Sequence, residues 1–172
     1  MERTLILLKP DAVKRGVVGE IITRFERAGL KIIGTKMLRP DYEHYYHHYE
    51  NIGKMVTRRG KEIFEVTLDM MNEGPVIAMV LEGIGAVGVV RKMVGGTEPK
   101  AALPGTIRGD YSHISFEHAN AEGIATPNII HASGDPDEAK DEIMHWFSES
   151  ELYEYESVHE MYTLAHSRKK KK

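Results

Sequence analysis

Cysteine is absent from these 172 residues. That excludes a disulfide framework, a zinc–thiolate centre and a thiol nucleophile. Aromatic residues are sparse at 8%, with a single tryptophan. No apolar run approaches the ~20 residues that cross a bilayer. The opening Met1-Glu2-Arg3-Thr4 also lacks the basic stretch and apolar core of a secretory signal. The expected location is cytoplasmic, with no membrane partner. Basic charge is scarce too. The net charge is −3, yet residues 168–172 hold five positive charges, leaving 18 basic against 26 acidic residues elsewhere, a balance of −8. An acidic body argues against a broad nucleic-acid surface, and the basic run reads as a solvated, disordered tail. What is present is ordinary for one soluble domain: 41% apolar and 28% charged residues, enough to bury a core. We expect one domain over 1–167 and a tail over 168–172.

The hydrophobic pattern alternates between strand and helix. Residues 4–8 (Thr-Leu-Ile-Leu-Leu) suit a central strand covered on both faces. Residues 19–28 read as a helix with Ile21, Ile22, Phe25 and Ala28 on one face and Gly29 as its stop. A strand over 30–38 follows, then a helix with Tyr42, Tyr45, Tyr46 and Tyr49 at helical spacing, read as packing. A second helix spans 61–72, a strand 76–81 and a helix 85–94 stopped by Gly95-Gly96. Residues 97–127 show little periodicity and read as a long functional loop. Within them His113, Phe116, Glu117 and His118 give no helix face. Ile129 and Ile130 then form a short strand that delivers His131 to its end. Asp135 caps the last helix, with Pro136 in its first turn and Glu138 completing a capping box. Its inward stripe is Ala139, Ile143 and Phe147, and Glu142 lies off that stripe. The order contains β-α-β-β-α-β: an α+β, ferredoxin-like fold, with a four-stranded antiparallel sheet covered by helices.

The candidate chemistry is distributed along this frame. Lys9 follows the first strand, Arg91 sits on the helix before Gly95-Gly96-Thr97, and Arg108 stands in Gly105-Thr106-Ile107-Arg108-Gly109-Asp110. Fixed cations and a nucleophilic histidine are what phosphoryl transfer requires. Neither the Gly-x-x-x-x-Gly-Lys-[Ser/Thr] loop nor a protein-kinase glycine-rich loop occurs. His44 and His48 have the i, i+4 spacing of a zinc pair, but no third ligand accompanies them, so we expect no protein-held metal. His44, His47 and His48 read as surface residues or neighbours of the tyrosine stripe. His113, His118, His145, His159 and His166 have no evident partner.

Seven ordered blocks resemble nucleoside diphosphate kinases up to about Phe147. They are Glu2-Arg3-Thr4 with Lys9-Pro10-Asp11; Arg15-Gly16; Val18-Gly19-Glu20-Ile21-Ile22; Gly74-Pro75-Val76; Met79-Val80 with Glu82-Gly83; Pro104 to Asp110; and Asn128-Ile129-Ile130-His131 with Ser133. The resemblance implies the ferredoxin-like fold and a ping-pong transfer of the γ-phosphoryl of ATP to a nucleoside diphosphate through phosphohistidine on His131. It implies phosphate binding by Lys9, Arg91, Thr97 and Arg108, and a bond from Asn128 to the sugar. By the same pattern Tyr49 supports the lysine and histidine, while Ser133 and Glu142 steady the histidine. The residue facing the base falls on Ile63 or Phe64. Mg²⁺ is expected to ride on the nucleotide phosphates, and the assembly to be a homohexamer. Three departures from the family pattern stand out. The segment 49–74 is longer than usual, and Ala132 and Gly134 replace a glycine and an acid. Residues 111–127 form an insertion whose ends are expected to meet at the site while its middle projects outward, in a contact or lid role without chemistry. An RNA-binding module of the same fold would need exposed sheet aromatics and a basic face, and 76–81 offers no aromatic. An inactive regulatory relative is disfavoured by intact Lys9, Arg91, Arg108, Asn128 and His131.

Overall fold

A computed structural model describes residues 1–164; the basic run 168–172 and His166 lie outside the described residues. The chain forms β1 (Glu2–Leu8), α1 (Pro10–Lys14), α2 (Val18–Arg27), β2 (Lys31–Leu38) and α3 (Tyr42–Tyr46), which continues as a π-helical segment, His47–Ile52. Next come α4 (Met55–Arg59), α5 (Lys61–Asn72), β3 (Val76–Gly83) and α6 (Ala86–Val94). A 3₁₀ turn (Pro99–Ala101), α7 (Ile107–Tyr111) and α8 (Phe116–Glu122) precede β4 (Ile130–Ala132). The described chain closes with α9 (Pro136–Trp146), a 3₁₀ turn (Glu149–Glu151) and α10 (Glu160–Thr163).

The strands lie in the order β2-β3-β1-β4, and every neighbouring pair is antiparallel. This is the four-stranded, helix-covered, ferredoxin-like sheet that the element order implied. The unbroken apolar run of β1 is explained by its place between β3 and β4. Leu5 and Leu7 point into a core with Tyr45, Leu68, Val80 and Trp146. Ile6 and Leu8 point into the opposite core with Ile21, Phe25, Val90 and Ile130. Each such fully buried side chain contributes about 1.5–3 kcal/mol. α9 packs directly on β1, as does β4, so the strand that carries His131 and its following helix share one scaffold.

Four sequence expectations change. Residues 97–127 are not one loop: α7 and α8 interrupt them, and α8 exists despite its mixed faces because Ser115 caps it, accepting from His118 N–H at 3.1 Å. Only Ala119 of α8 is buried, so no periodic stripe announced it. β4 covers 130–132, so His131 lies inside the strand and Ile129 precedes it. The capping box of α9 is half made. Asp135 accepts from Glu138 N–H at 2.8 Å, but the Glu138 carboxylate reaches back to Gly134 N–H at 2.6 Å. Finally, Glu142 is on the inward stripe: it is 1% exposed and flanked by buried Ala139, Ile143 and Trp146. Among the described residues, no helix is long and apolar enough to cross a membrane.

Candidate active site

The site begins where β1 ends beside β4. Leu7 pairs with His131 and Leu8 with Ile130, which brings Lys9 opposite Ile129, its side chain beside Asn128. The Lys9 ammonium donates to Asn128 Oδ1 at 2.8 Å, and Asn128 Nδ2 donates to the Thr97 carbonyl at 3.0 Å. Between Asn128 and His131 the backbone makes a tight turn. Ile129 has φ 72, and Ile130 N–H bonds the Asn128 carbonyl at 2.8 Å. A β-branched residue in this region is strained. Three contacts hold it: Asp11 accepts Ile129 N–H at 3.0 Å, Lys9 N–H donates to the Ile129 carbonyl at 2.9 Å, and the side chain is fully buried.

His131 is fixed by Glu142. Its Nε2 lies 2.7 Å from Glu142 Oε1, while Glu142 Oε2 accepts from the Ser133 hydroxyl at 2.6 Å. Ser133 Oγ in turn accepts Leu5 N–H at 3.1 Å. A carboxylate only accepts, so Nε2 carries the hydrogen and Nδ1 keeps its lone pair. Beside it stands His48, 1% exposed, its ring edge-on to His131 with centroids 4.6 Å apart. His48 Nδ1 accepts from Trp146 Nε1 at 3.1 Å. Burial, reinforced by His131 and the other nearby histidines, holds its pKa well below the ordinary value. His48 therefore stays neutral and adds no competing charge. The sequence reads it as a surface residue or a neighbour of the tyrosine stripe, whereas it is buried beside the candidate nucleophile. The signal was available, because His48 is at i+3 from buried Tyr45 and adjoins buried Tyr49. His145 also has partners, since its ring stacks between His44 at 3.9 Å and His47 at 4.5 Å.

The cations converge on the same cleft. Arg108 is buried and donates to the carbonyls of Asn128 (3.2 Å), Gly95 (3.2 Å) and Ile130 (2.6 Å). Burial, with Arg91 and Arg59 nearby, lowers its pKa to about 10. Burial also lowers Lys9 to about 8; Asp11 opposes the shift, and Arg108 and Arg59 add to it. Gly109 follows Arg108 by necessity, because a Cβ there would collide with the Leu103 carbonyl. Arg91 approaches the Ser133 carbonyl at 3.5 Å. Together with Lys9, Thr97, Arg108, Asn128 and His131 it lines a cleft of about 390 Å³.

Two expected residues behave differently. The Tyr49 ring is edge-on to His131 at 6.4 Å, but its buried hydroxyl bonds to neither His131 nor Lys9 and has no partner among the described residues. Of the two base-facing candidates, Ile63 lines the cleft, whereas Phe64 is buried in the core against Tyr46. The middle of the 111–127 segment does not project outward but turns over the cleft, which fits the lid half of the expectation. Ser112 Oγ bonds the Pro127 carbonyl at 3.0 Å, closing its base, and Phe116, Asn120, Ile124, Ala125 and Thr126 form a wall of the cleft. Arg58, Arg59 and Glu138 also line it; nothing in their spacing singled them out.

Ligating atoms of His48, His131 and Glu142 lie within 4.8 Å of one another. Both Glu142 oxygens and His48 Nδ1 already carry hydrogen bonds; it is Glu142, held by Ser133, that orients His131, and His48 packs against the ring without bonding it. With its cations, a bare imidazole nitrogen and a shape that takes a polyanion, the cleft suits phosphoryl transfer.

Comparison with known proteins agrees. The family profile described as nucleoside diphosphate kinase matches residues 2–152. A Pyrococcus furiosus nucleoside diphosphate kinase is 49% identical over 155 residues, covering 90% of this chain and 88% of that protein. The Thermococcus kodakarensis enzyme is 46% identical over 171 residues, covering 99% and 91%. Among solved structures, a transition-state mimic of the Borrelia burgdorferi enzyme with bound vanadate and ADP superposes with a TM-score of 0.91 at 40% identity, covering 94% of this chain and 95% of that one. The chain belongs to the nucleoside diphosphate kinase family and is a phosphotransferase.

Proposed function

We propose that this chain carries the γ-phosphoryl group of a nucleoside triphosphate, ATP included, to a nucleoside diphosphate through a phosphohistidine on His131. The supporting observation is the tautomer: Glu142 takes the Nε2 hydrogen at 2.7 Å, leaving Nδ1 free in a cleft lined by Lys9, Arg91 and Arg108. Nδ1 attacks the γ-phosphorus as the bond to the bridging oxygen breaks, and the diphosphate departs. No proton has to leave the ring. The positive charge that develops on the imidazole is stabilised by Glu142, itself oriented by Ser133. In the second half-reaction, the terminal phosphate oxygen of an acceptor diphosphate displaces Nδ1. Lys9, Arg91 and Arg108, with the Thr97 hydroxyl, hold the phosphates; Asn128 takes the sugar hydroxyl. The unpartnered Tyr49 hydroxyl is available to the bound phosphates, and Ile63 gives the base an apolar face.

Mg²⁺ belongs to the substrate in this reading. The cleft-lining carboxylates Glu138 and Glu142 are engaged with Gly134 and with His131 and Ser133, so a protein cage does not fit and the ion arrives on phosphate oxygens. On the family resemblance we also assign one catalytic domain at 1–167, a homohexamer and a cytoplasmic location. β2 is an edge strand whose first half is covered by residues 152–155, with Tyr153 N–H donating to the Ile33 carbonyl at 2.7 Å; its second half, with exposed Met37, is an open edge that calls for cover of the kind an assembly supplies.

Intact-mass spectrometry after mixing with Mg-ATP tests the central step. One phosphoryl group per chain is expected, lost on adding GDP with formation of GTP. A chain that exchanges phosphate between nucleotides without ever carrying it would defeat the phosphohistidine route. Light scattering on a sizing column tests the hexamer.

A further inference from the structure

Glu142 has a second imidazole within reach. His48 Nδ1 lies 3.7 Å from the same Oε1 that accepts from His131, and the two ring planes stand at 83°. A His48 bearing hydrogen on Nδ1 would need only a small shift to make a charge-assisted bond to that oxygen. Glu142 would then be shared between two donors, and its hold on the nucleophile would weaken.

Trp146 prevents this. An indole N–H only donates, so the bond from Nε1 to His48 Nδ1 at 3.1 Å needs the lone pair on Nδ1. The neutral ring must then carry its hydrogen on Nε2. That nitrogen is buried and has no acceptor among the described residues. Buried donors are rarely left so, and the other tautomer would have Glu142 for a partner. His48 is thus held in the tautomer that is locally the poorer one, at a position where the better one would interfere with His131.

Protonation would have the same consequence, since both ring nitrogens would then donate. Burial is the first cause against it, followed by His131 on β4, His145 on α9, His44 on α3 and Lys9 at the end of β1. α4 brings Arg58 and Arg59 to the same cleft. Tyr49, next in the chain, meets His48 edge-on at 4.7 Å, and burial pushes its hydroxyl further from ionisation. Glu142 is the carboxylate that would draw a proton onto His48.

We infer that Trp146 and His48 are a pair of positioning residues: the indole N–H holds His48 in the one form that cannot bond Glu142, so the carboxylate stays committed to the nucleophile. This rests on the phosphohistidine reading given above.

Rapid-quench phosphorylation of the full chain by Mg-ATP, with steady-state kcat and KM across pH, tests the pair. Trp146→Phe keeps an aromatic ring and removes the N–H. Its kcat should fall several-fold at neutral pH, with nucleotide KM near that of the parent. The pH at which kcat falls on acidification should move up by about one unit, the size set by one buried hydrogen bond. His48→Phe cannot bond Glu142 in any state, and adding Trp146→Phe to it should move neither kcat nor the acid limb further. If a folded Trp146→Phe keeps the parent's kcat and acid limb, or shifts them as much in the His48→Phe background, the inference is overturned. Imidazole nitrogen NMR of the parent chain gives a reading that needs no variant. His48 should show the Nε2–H form throughout about pH 5 to 8; an Nδ1–H form, or a titration in that range, would also overturn the inference. If the parent never carries a phosphoryl group on His131, the phosphohistidine reading falls and takes this inference with it.

Discussion

The two walls of the cleft are built by different rules. The inner wall, made by the ends of β1 and β4 with α9 behind them, carries Lys9, Asn128, His131, Ser133 and Glu142. All are buried except half-buried His131, and a continuous chain of bonds links Leu5 to Ser133 to Glu142 to His131. The outer wall, made by α4 and α8, carries Arg58, Arg59 and Phe116, which rest on long or weak contacts near solvent. Chemistry that must place a lone pair within a fraction of an ångström is on the saturated wall. Recognition that must admit and release a ligand is on the loose one. The difference implies that inner-wall changes should strike turnover, and outer-wall changes affinity.

The sharpest way to break that division is His131→Ala, which should fold normally and show no phosphoenzyme by intact mass; substantial exchange by this variant would end the mechanism. Glu142→Gln comes next. It removes the charge that fixes the tautomer and should lower kcat by about 10²-fold or more with little change in nucleotide KM. A loss confined to KM would place Glu142 on the wrong side of the comparison. Lys9 gives a pH test. Its pKa of about 8 in the folded chain means that the cation is lost as pH rises through that value, so kcat/KM should fall on the alkaline side. Saturating nucleotide, whose phosphates favour the charged form, should move the limb in kcat upward. A kcat/KM profile that ran flat well above that region would show that Lys9 is not so dry. For the outer wall, Phe116→Ala should raise nucleotide KM roughly three- to tenfold and leave His131 phosphorylation at saturation intact. Loss of phosphorylation in a folded Phe116→Ala would put α8 into the chemistry.

The smallest effect at neutral pH concerns stability. His44, His48 and His145 all have lowered pKa values, burial being the largest cause, and His44 is lowered to about 4. Between about 6.5, where the unfolded chain takes up protons, and that value, the unfolded state binds more protons than the folded one. Stability is therefore full above this window and falls with pH inside it. Thermal melts should show Tm dropping from neutral pH toward pH 5, with a shallower slope in His44→Gln. Equal slopes would remove His44 as a cause.

What was legible in the sequence follows the same division. β1, β3, α2, α5 and α6 were readable because each buries a periodic or continuous apolar set. Lys9, Arg91, Arg108, Asn128 and His131 could be gathered because they sit at the ends of those elements. α4 and α8 were not readable. They are short, they bury little, and α8 depends on one Ser115 cap. His48 was hidden by company, since three histidines and four tyrosines on one helix made the tyrosines look like the whole stripe. Glu142 was misplaced because a carboxylate on an inward face contradicts hydrophobic patterning. Only its partners, buried Ser133 and half-buried His131, make it acceptable there. Phe64 drew attention as an aromatic, yet one turn of helix separates lining a cleft from filling a core, and Ile63 takes the lining position.

Trp146 has an optical consequence. It is the only tryptophan in the chain, and its indole N–H ends on His48, whose ring stands edge-on to His131. One imidazole therefore separates the sole strong fluorophore from the nitrogen proposed to carry the phosphoryl group. A dianion placed on His131 changes the electric field across that indole, so the emission of the unlabelled protein should shift on mixing with Mg-ATP and return when an acceptor diphosphate is added. The two half-reactions could then be timed separately in a stopped-flow cuvette.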